Sequence, residues 1–110
     1  PDAMRRLAEE VVDYYGYTAG RPEDPAKALL YARRLNRAAE LQAGLGEHEA
    51  AERAHRRALT LTEGLAGARH EEVAAEHART LEVLAGALDR LGQAEQAAEM
   101  RAKAQAARPR

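Results

Sequence analysis

The sequence predicts an all-α protein, and its composition supports this class in three ways. The chain has 110 residues, which is enough for one small domain. Aromatic residues make up only 4% and isoleucine is absent, so residues that favour strands are scarce. Alanine, leucine, glutamate and arginine dominate instead, and these are strong helix formers. We therefore expect one helical domain over residues 1–110.

Charge and composition also limit the functional class. The 17 basic and 18 acidic residues balance, so the basic excess typical of nucleic-acid-binding proteins is missing. The chain has no cysteine, which excludes disulfides and thiolate metal sites. No apolar run reaches the roughly 18 residues that a membrane span requires. We expect a cytoplasmic protein that binds neither nucleic acid nor membranes.

The second half of the chain repeats the first. Residues 70–104 match residues 24–58, each 46 positions later, as in Leu35 and Leu81. The matching positions are apolar, small or glycine, whereas charged positions mostly differ. This pattern is typical of a duplicated unit that retains its core while its surface diverges.

Each unit is predicted to contain two helices, and a further helix precedes both units. Apolar residues recur every three or four positions, which indicates amphipathic helices. Glycines in Leu45-Gly46 and Leu91-Gly92 are expected to end the first helix of each unit. Asp24 and Pro25 suit the start of a helix. The predicted helices cover residues 2–15, 25–44, 47–63, 70–90 and 93–107.

Specific positions are expected to point inward or to interrupt helices. In the first helix the predicted breaks are Gly16 and residues 18–22, and Gly64, Gly67 and Pro109 are expected to end later helices. The residues expected to be buried are Leu7, Val11, Tyr14 and Tyr15 in the first helix, then Ala28, Ala32, Leu35, Ala39 and Leu41, then Ala51, Ala54, Ala58, Leu59 and Leu61, and finally Ala97, Met100 and Ala104.

These residues resemble the tetratricopeptide repeat, and more narrowly the kinesin-light-chain-like variety found in many bacterial proteins. The first unit reads Leu35-Asn36, then Ala39, Leu41, Gly46, Ala51-Glu52 and Arg56-Arg57-Ala58-Leu59, which is similar to the light-chain pattern. The resemblance implies a fragment of an α-solenoid with a helix at 1–17 and repeats at 24–64 and 69–109. The Ala/Arg-rich composition also resembles that of proteins from high-GC bacteria.

The resemblance implies small residues where helices cross, and alanine occupies all six such positions. They are Ala39, Ala51 and Ala58 in the first unit and Ala85, Ala97 and Ala104 in the second. The chain departs from the family where His55, Arg101 and Gln42 replace residues that are usually large and apolar.

The resemblance also implies a protein-protein interaction module that binds a peptide or partner protein on a concave face formed by the first helices. Asn36 lies where light-chain repeats place an asparagine that contacts peptide backbone, and Arg33 and Arg79 occupy equivalent positions suited to a carboxylate clamp. The alternative for each residue is an ordinary solvated helix surface. The implied binding residues are Arg33, Asn36, Glu40, Arg79, Glu82, Asp89 and Arg90.

Residues for catalysis or for metal binding are not arranged in a recognisable pattern. The chain contains no serine, no cysteine and no glycine-rich phosphate loop. His48 and His55, like His70 and His77, are seven residues apart, about 10.5 Å along a helix, which is too far for one zinc ion. We expect no enzymatic activity, no metal and no cofactor.

An alternative function is a structural, oligomerisation or regulatory segment of a larger bacterial signalling or transcription-regulatory protein. The first helix has more apolar residues than one neighbouring helix can cover, including Val11, Val12, Tyr14, Tyr15 and Tyr17. It therefore suits a preceding repeat or a homodimer contact. The alternative is a helix that simply folds onto the edge of the groove. Because the chain opens on Pro1 with Met4 inside, we expect it to be part of a longer protein.

Overall fold

A computed structural model describes residues 2–18, 25–63 and 71–108 of the chain. These residues form five α-helices and no strand, which confirms the all-α prediction. None of the helices in these ranges is long and apolar enough to cross a membrane. The helices are α1 (Asp2–Thr18), α2 (Pro25–Gly44), α3 (His48–Glu63), α4 (Glu71–Arg90) and α5 (Ala94–Ala107).

The predicted helix bounds agree with the structure for α2 and differ by one residue at the starts of α3 and α5, and the predicted start of α4 at residue 70 lies outside the described residues. The prediction for α1 was wrong at its end, since the helix continues through Gly16 to Thr18. A glycine inside a helix costs only about 1 kcal/mol. The ring of Tyr15, which lies 5.1 Å from that of Tyr31, holds the end of α1 against α2. The predicted cap Asp24 and the predicted breaks at Gly64, Gly67 and Pro109 lie outside the described residues.

Both glycine turns have the same hydrogen-bonded geometry. Gly46 has a φ of 82° and Gly92 a φ of 77°, in the left-handed region that favours glycine. The amide of Glu47 donates to the carbonyl of Gln42, and Gly46 donates to Ala43, which is the pattern of a Schellman motif. The equivalent bonds, Gln93 to Leu88 and Gly92 to Asp89, close the second turn. The two units therefore end their first helices in the same way.

Each helix contacts its neighbours in the chain. The pairs α2–α3 and α4–α5 form helical hairpins, α3 packs on α4, and α1 packs on α2. The first helices of the two units, α2 and α4, also contact each other, as do α1 and α3. The Cα atoms extend over 40 × 31 × 17 Å, so the arrangement is flat.

Alanine contributes much of the buried core. The six alanines predicted at helix crossings are all buried. Small side chains allow helices to approach closely, and the largest fully buried apolar side chains are Leu35, Leu81, Leu84 and Leu88. Leu41 and Leu61, which were predicted to point inward, are half-buried.

The buried face of α1 was predicted only in part. Val11 and Tyr15 pack against the core as expected, whereas Leu7 is 55% exposed and Tyr14 is 61% exposed. Ala8 and Val12, which were not among the predicted residues, are the buried side chains of α1. Leu7 and Tyr14, on the neighbouring stripe, remain at the surface.

Candidate partner-binding groove

The first helices of the two units form a groove that ends in a pocket. The pocket has a volume of about 450 Å³ and lies where the C-terminal ends of α2 and α4 run side by side. Its lining combines small, apolar and charged side chains from three helices. The lining residues are Glu40, Ala43 and Gly44 of α2, His55 of α3, and Val83, Gly86 and Arg90 of α4.

The pocket exists because two of its lining residues, Gly44 and Gly86, have no side chain. A Cβ atom added at Gly44 meets no atom within 4 Å, and one added at Gly86 meets only the Arg90 guanidinium, 3.7 Å away. Ala43 and Val83 supply apolar wall. Arg90 forms no ion pair with any residue that the structure describes, so its charge is available at the edge of the pocket.

Asn36 joins three helices beneath the groove. Its side chain is 0% exposed. Its Nδ2 donates to Glu76 Oε2 at 3.0 Å and to Thr80 Oγ1 at 2.8 Å, both on α4. Its Oδ1 lies 2.9 Å from Nδ1 of His55 on α3. Because the amide nitrogen has two acceptors, Oδ1 accepts the hydrogen bond and Nδ1 of His55 carries the proton.

The network continues to the surface through Glu76. Thr80 donates to the Glu76 backbone carbonyl at 2.8 Å, and Arg33 Nε donates to Glu76 Oε1 at 3.3 Å. The Glu76 carboxylate is buried, whereas half of the Arg33 side chain is exposed. A buried carboxylate requires such partners, because an unpaired charge in the interior costs several kcal/mol. The network therefore fixes how α2 and α4 lie against each other.

His55 is neutral at physiological pH. Burial, with the nearby guanidinium groups of Arg79 and Arg90, lowers the pKa of His55 to about 4 from 6.5. Its second ring nitrogen, Nε2, has no hydrogen-bond partner among the described residues, and the ring lines the pocket. With the proton on Nδ1, Nε2 is a hydrogen-bond acceptor.

Two ion pairs connect α2 to α4 along the groove. Besides Arg33 with Glu76, Arg79 donates to Glu40 Oε1 at 2.6 Å, and both of these side chains are about half exposed. Arg79 also lies 3.7 Å from the Glu76 carboxylate. The two equivalent arginines expected to form a carboxylate clamp are therefore already paired with acidic residues of the chain.

No protein-family model, no curated protein and no solved structure matches this chain. The geometry of the groove must therefore support any functional argument by itself.

The structure brings together only some of the residues expected to bind a partner. Glu40 and Arg90 line the pocket, and Arg33 and Arg79 lie along the groove. Asn36 does not reach the surface. Glu82 and Asp89 point to the other side of α4, where they pair with Arg108 and Arg101.

Sequence reasoning missed an exposed group on α2. Leu30 is 44% exposed. Arg37 follows it two turns later on the same face as Arg33, which reaches α4, so this face borders the groove. Neither Arg34 nor Arg37 forms an ion pair with the described part of the chain. The sequence did contain a signal for this exposed group. Leu30 lies outside the predicted buried stripe, and Arg34 and Arg37 follow it after four and seven residues, on the same side of the helix.

The other histidines that the structure describes form no recognisable metal site. Within the described ranges, no group of three or more histidines and carboxylates could hold a metal ion. His77 Nδ1 lies 2.7 Å from the buried Thr62 hydroxyl, which joins α4 to α3. Burial lowers the pKa of His77, although the Glu63 carboxylate opposes this shift. His77 therefore has a structural role in the packing of α4 on α3.

Proposed function

We propose that this chain is a non-catalytic protein-protein interaction module of the tetratricopeptide type, and that it binds a segment of a partner protein in the groove between α2 and α4. Three repeated features support the repeat assignment. The two units share their glycine turns, their buried alanines and their hairpin packing. First helices that lie side by side create a continuous surface for an extended ligand.

The observation that carries the proposal is the pocket at the end of the groove. Its apolar wall accepts one apolar side chain, while Nε2 of His55 accepts a hydrogen bond from the ligand backbone. Arg90 at the edge and Arg37 on α2 supply unpaired positive charge. A segment with an apolar anchor and neighbouring acidic residues matches this combination.

The equivalent arginines contribute in a second way. An exposed ion pair contributes only about 0–1 kcal/mol. A ligand carboxylate can therefore replace Glu40 as the partner of Arg79 at little cost. Arg33 differs, because it donates a hydrogen bond to the buried Glu76 carboxylate, which Arg79 only approaches to 3.7 Å. Arg79→Ala should weaken ligand binding with little loss of stability, whereas Arg33→Ala should affect both.

A shallow groove between two helices limits affinity. We expect a Kd of about 10–100 µM for a short peptide, because ordering the peptide consumes much of the interaction free energy. Binding should weaken with salt, since exposed charges are screened over about 10 Å at 0.1 M ionic strength.

The test uses a variant that fills the pocket. Gly86→Leu adds a side chain whose Cβ meets only the flexible Arg90 guanidinium, and it replaces glycine by a better helix former, so the fold should be retained. Ala98→Leu, on the exposed surface of α5, is the matched control. Fluorescence anisotropy would follow binding of labelled peptides in which leucine, phenylalanine or methionine is flanked by glutamates. Peptides with lysines in place of glutamates serve as the charge control.

We expect the acidic peptides to bind the wild type and the Ala98→Leu variant equally, and Gly86→Leu to bind at least about tenfold more weakly. Equal binding by Gly86→Leu, or a preference for the lysine peptides, would show that the pocket is not the site.

The exposed stripe on α1 favours a second function, a structural or oligomerisation segment. In this alternative, the chain is part of a larger bacterial signalling or transcription-regulatory protein and contributes an assembly contact. Self-association that persists when the groove is blocked by Gly86→Leu would support this alternative.

A further inference from the structure

A small cavity lies between α1 and α3, apart from the groove. Its volume is about 280 Å³, and it shares no lining residue with the pocket between α2 and α4. Charged side chains of α1 and α3 line it, and α2 contributes a glutamine. The residues that matter for its chemistry are Glu9, Val12 and Asp13 of α1, Gln42 of α2, and Arg53 and Arg57 of α3.

Gln42 is a buried polar side chain without a partner. The residue is only 2% exposed, it lines the cavity, and its Oε1 is buried without a hydrogen bond. Its amide nitrogen has no hydrogen-bond partner among the described residues either. Buried polar groups nearly always have a partner, so an unpaired amide beside a cavity indicates that water or a ligand supplies one.

The repeat of the chain extends to α1, which allows the cavity to be compared with its counterpart. Ala8 and Val12 are the buried residues of α1. The residues 46 positions later, Ala54 and Ala58, are buried in α3. Because the offset of 46 also relates the two units, α1 and α2 of the first correspond to α3 and α4 of the second.

The second unit fills the corresponding position with apolar core. Gln42 corresponds to Leu88, and Asp13 corresponds to Leu59. Both leucines are buried in one cluster with Met100 of α5. The first unit therefore has an amide and a carboxylate where its counterpart has two packed leucines, and the cavity lies at these two residues. Packing alone would favour leucine at both positions.

The charged side chains around the cavity are not paired. Glu9 and Asp13 are one turn apart on α1, and Arg53 and Arg57 are one turn apart on α3. None of the four forms an ion pair with any residue that the structure describes. Arg57 Nη1 donates to the Val12 carbonyl at 3.4 Å, which holds this guanidinium beside α1. Two carboxylates from one helix and two guanidinium groups from another therefore line the same cavity.

These charges favour a ligand that carries both signs. A cation alone would lie near two guanidinium groups, and an anion alone would lie near two carboxylates. A zwitterion can direct its ammonium to α1 and its carboxylate to the arginines of α3, which bind carboxylates through paired hydrogen bonds. The Gln42 amide both donates and accepts, so rotation about its last side-chain bond suits it to either group. The volume restricts the ligand to a small molecule.

We propose that the cavity between α1 and α3 binds a small zwitterion of the amino-acid class, with one ammonium and one carboxylate group. The charged side chains are exposed, so water and salt weaken their attraction for the ligand. We therefore expect a Kd of about 0.1–10 mM. The proposal does not depend on partner binding in the groove, because the two sites share no residue.

NMR titration of the full chain, followed at the backbone and side-chain amides, tests the proposal. The probes are L-serine, L-glutamine and γ-aminobutyrate, each up to about 50 mM at constant ionic strength. Propylamine and propionate, which carry one charge each, are the charge controls. We expect saturable shifts at residues 9–13, at residues 50–57 and at the side-chain amide of Gln42. At least one zwitterion should bind about tenfold or more tightly than either singly charged probe.

Two variants separate binding from folding, which circular dichroism checks. Gln42→Leu should retain the fold, since Leu88 is buried at the corresponding position, and should weaken binding about tenfold or more. Gln105→Leu replaces an exposed glutamine of α5 and is the matched control, which should bind like the wild type. Arg53→Gln changes an exposed side chain, so the fold should be retained while binding weakens about threefold or more.

Three outcomes would overturn the proposal. If no zwitterion produces saturable shifts, the cavity holds water only. If propylamine or propionate binds as tightly as the zwitterions, the cavity recognises a single charge. Unchanged binding by Gln42→Leu or by Arg53→Gln would place the zwitterion elsewhere on the chain.

Discussion

Asn36→Leu is the sharpest perturbation of the network beneath the groove. The change keeps a side chain of similar size, so it opens no large cavity. It removes the donor shared by Glu76 and Thr80 and the acceptor for His55. The prediction is a large loss of stability caused by unpaired polar groups and not by lost packing.

The expected loss of unfolding free energy follows from the hydrogen bonds that the substitution removes. A hydrogen bond between neutral groups contributes about 1 kcal/mol net, and one to a carboxylate about 1.5–3 kcal/mol. After the substitution, the Nδ1 proton of His55 and one oxygen of Glu76 remain buried with fewer partners. We expect a loss of about 3–5 kcal/mol, which is a large part of the roughly 5–15 kcal/mol typical of a domain.

Urea unfolding followed by circular dichroism measures this loss. Arg37→Leu is the matched control, because it makes the neighbouring position on the same helix leucine but alters an exposed side chain without an ion pair. The control should change the free energy of unfolding by no more than about 0.5 kcal/mol. A loss below about 1 kcal/mol for Asn36→Leu would refute the reasoning, because the network would then contribute little.

A double-mutant cycle separates the network from other effects of the substitution. His55→Leu removes the group that Asn36→Leu leaves unpaired. The two substitutions together should therefore cost about 1–3 kcal/mol less than the sum of their separate effects. Strict additivity would mean that Asn36 and His55 do not interact in solution.

Three further predictions concern pH, packing and the first turn. The pKa of His55 is lowered to about 4 in the folded protein, so between pH 6.5 and 4 this histidine binds a proton in the unfolded chain but not in the folded one. The stability that His55 contributes is therefore fully present above pH 6.5 and is lost as the pH falls from 6.5 to 4. The loss should be about 3 kcal/mol in unfolding curves recorded across this range, and His55→Gln should remove it. Ala58→Leu should lower the free energy of unfolding by about 1–3 kcal/mol by overfilling a helix crossing, whereas Ala106→Leu on the exposed side of α5 should be neutral in the same assay. Gly46→Ala should lower Tm, since alanine is strained at a φ of 82°, while Gly44→Ala, in a helix with open space beside it, should not; equal effects would contradict the account of the turn.

The helices were predictable because local chemistry determines them. Both glycine turns could be identified from the repeat, and the structure confirms them. The six alanines were identified from the resemblance, and all of them are buried. The exposed stripe on α1 could not be distinguished in this way. Leu7 and Ala8 belong to neighbouring stripes of the same helix, and only the position of α2 decides which one is buried.

The network could be predicted only in part. The resemblance placed Asn36 in the groove, but α4 lies close enough to α2 to bury it. A signal was available, because His55 is polar at a position that is usually apolar in tetratricopeptide repeats. Buried polar groups require partners, so this departure indicates an internal network. Which helix supplies the partners depends on tertiary packing, and sequence spacing does not reveal it.

The most direct test of the proposed groove is a backbone amide NMR titration of the full chain with the acidic leucine peptide. Binding as proposed should shift resonances concentrated at residues 40–44 of α2 and 83–90 of α4, together with the ring resonances of His55. Shifts confined to α1, or to the outer surfaces of α3 and α5, would contradict the account and place the interaction surface elsewhere.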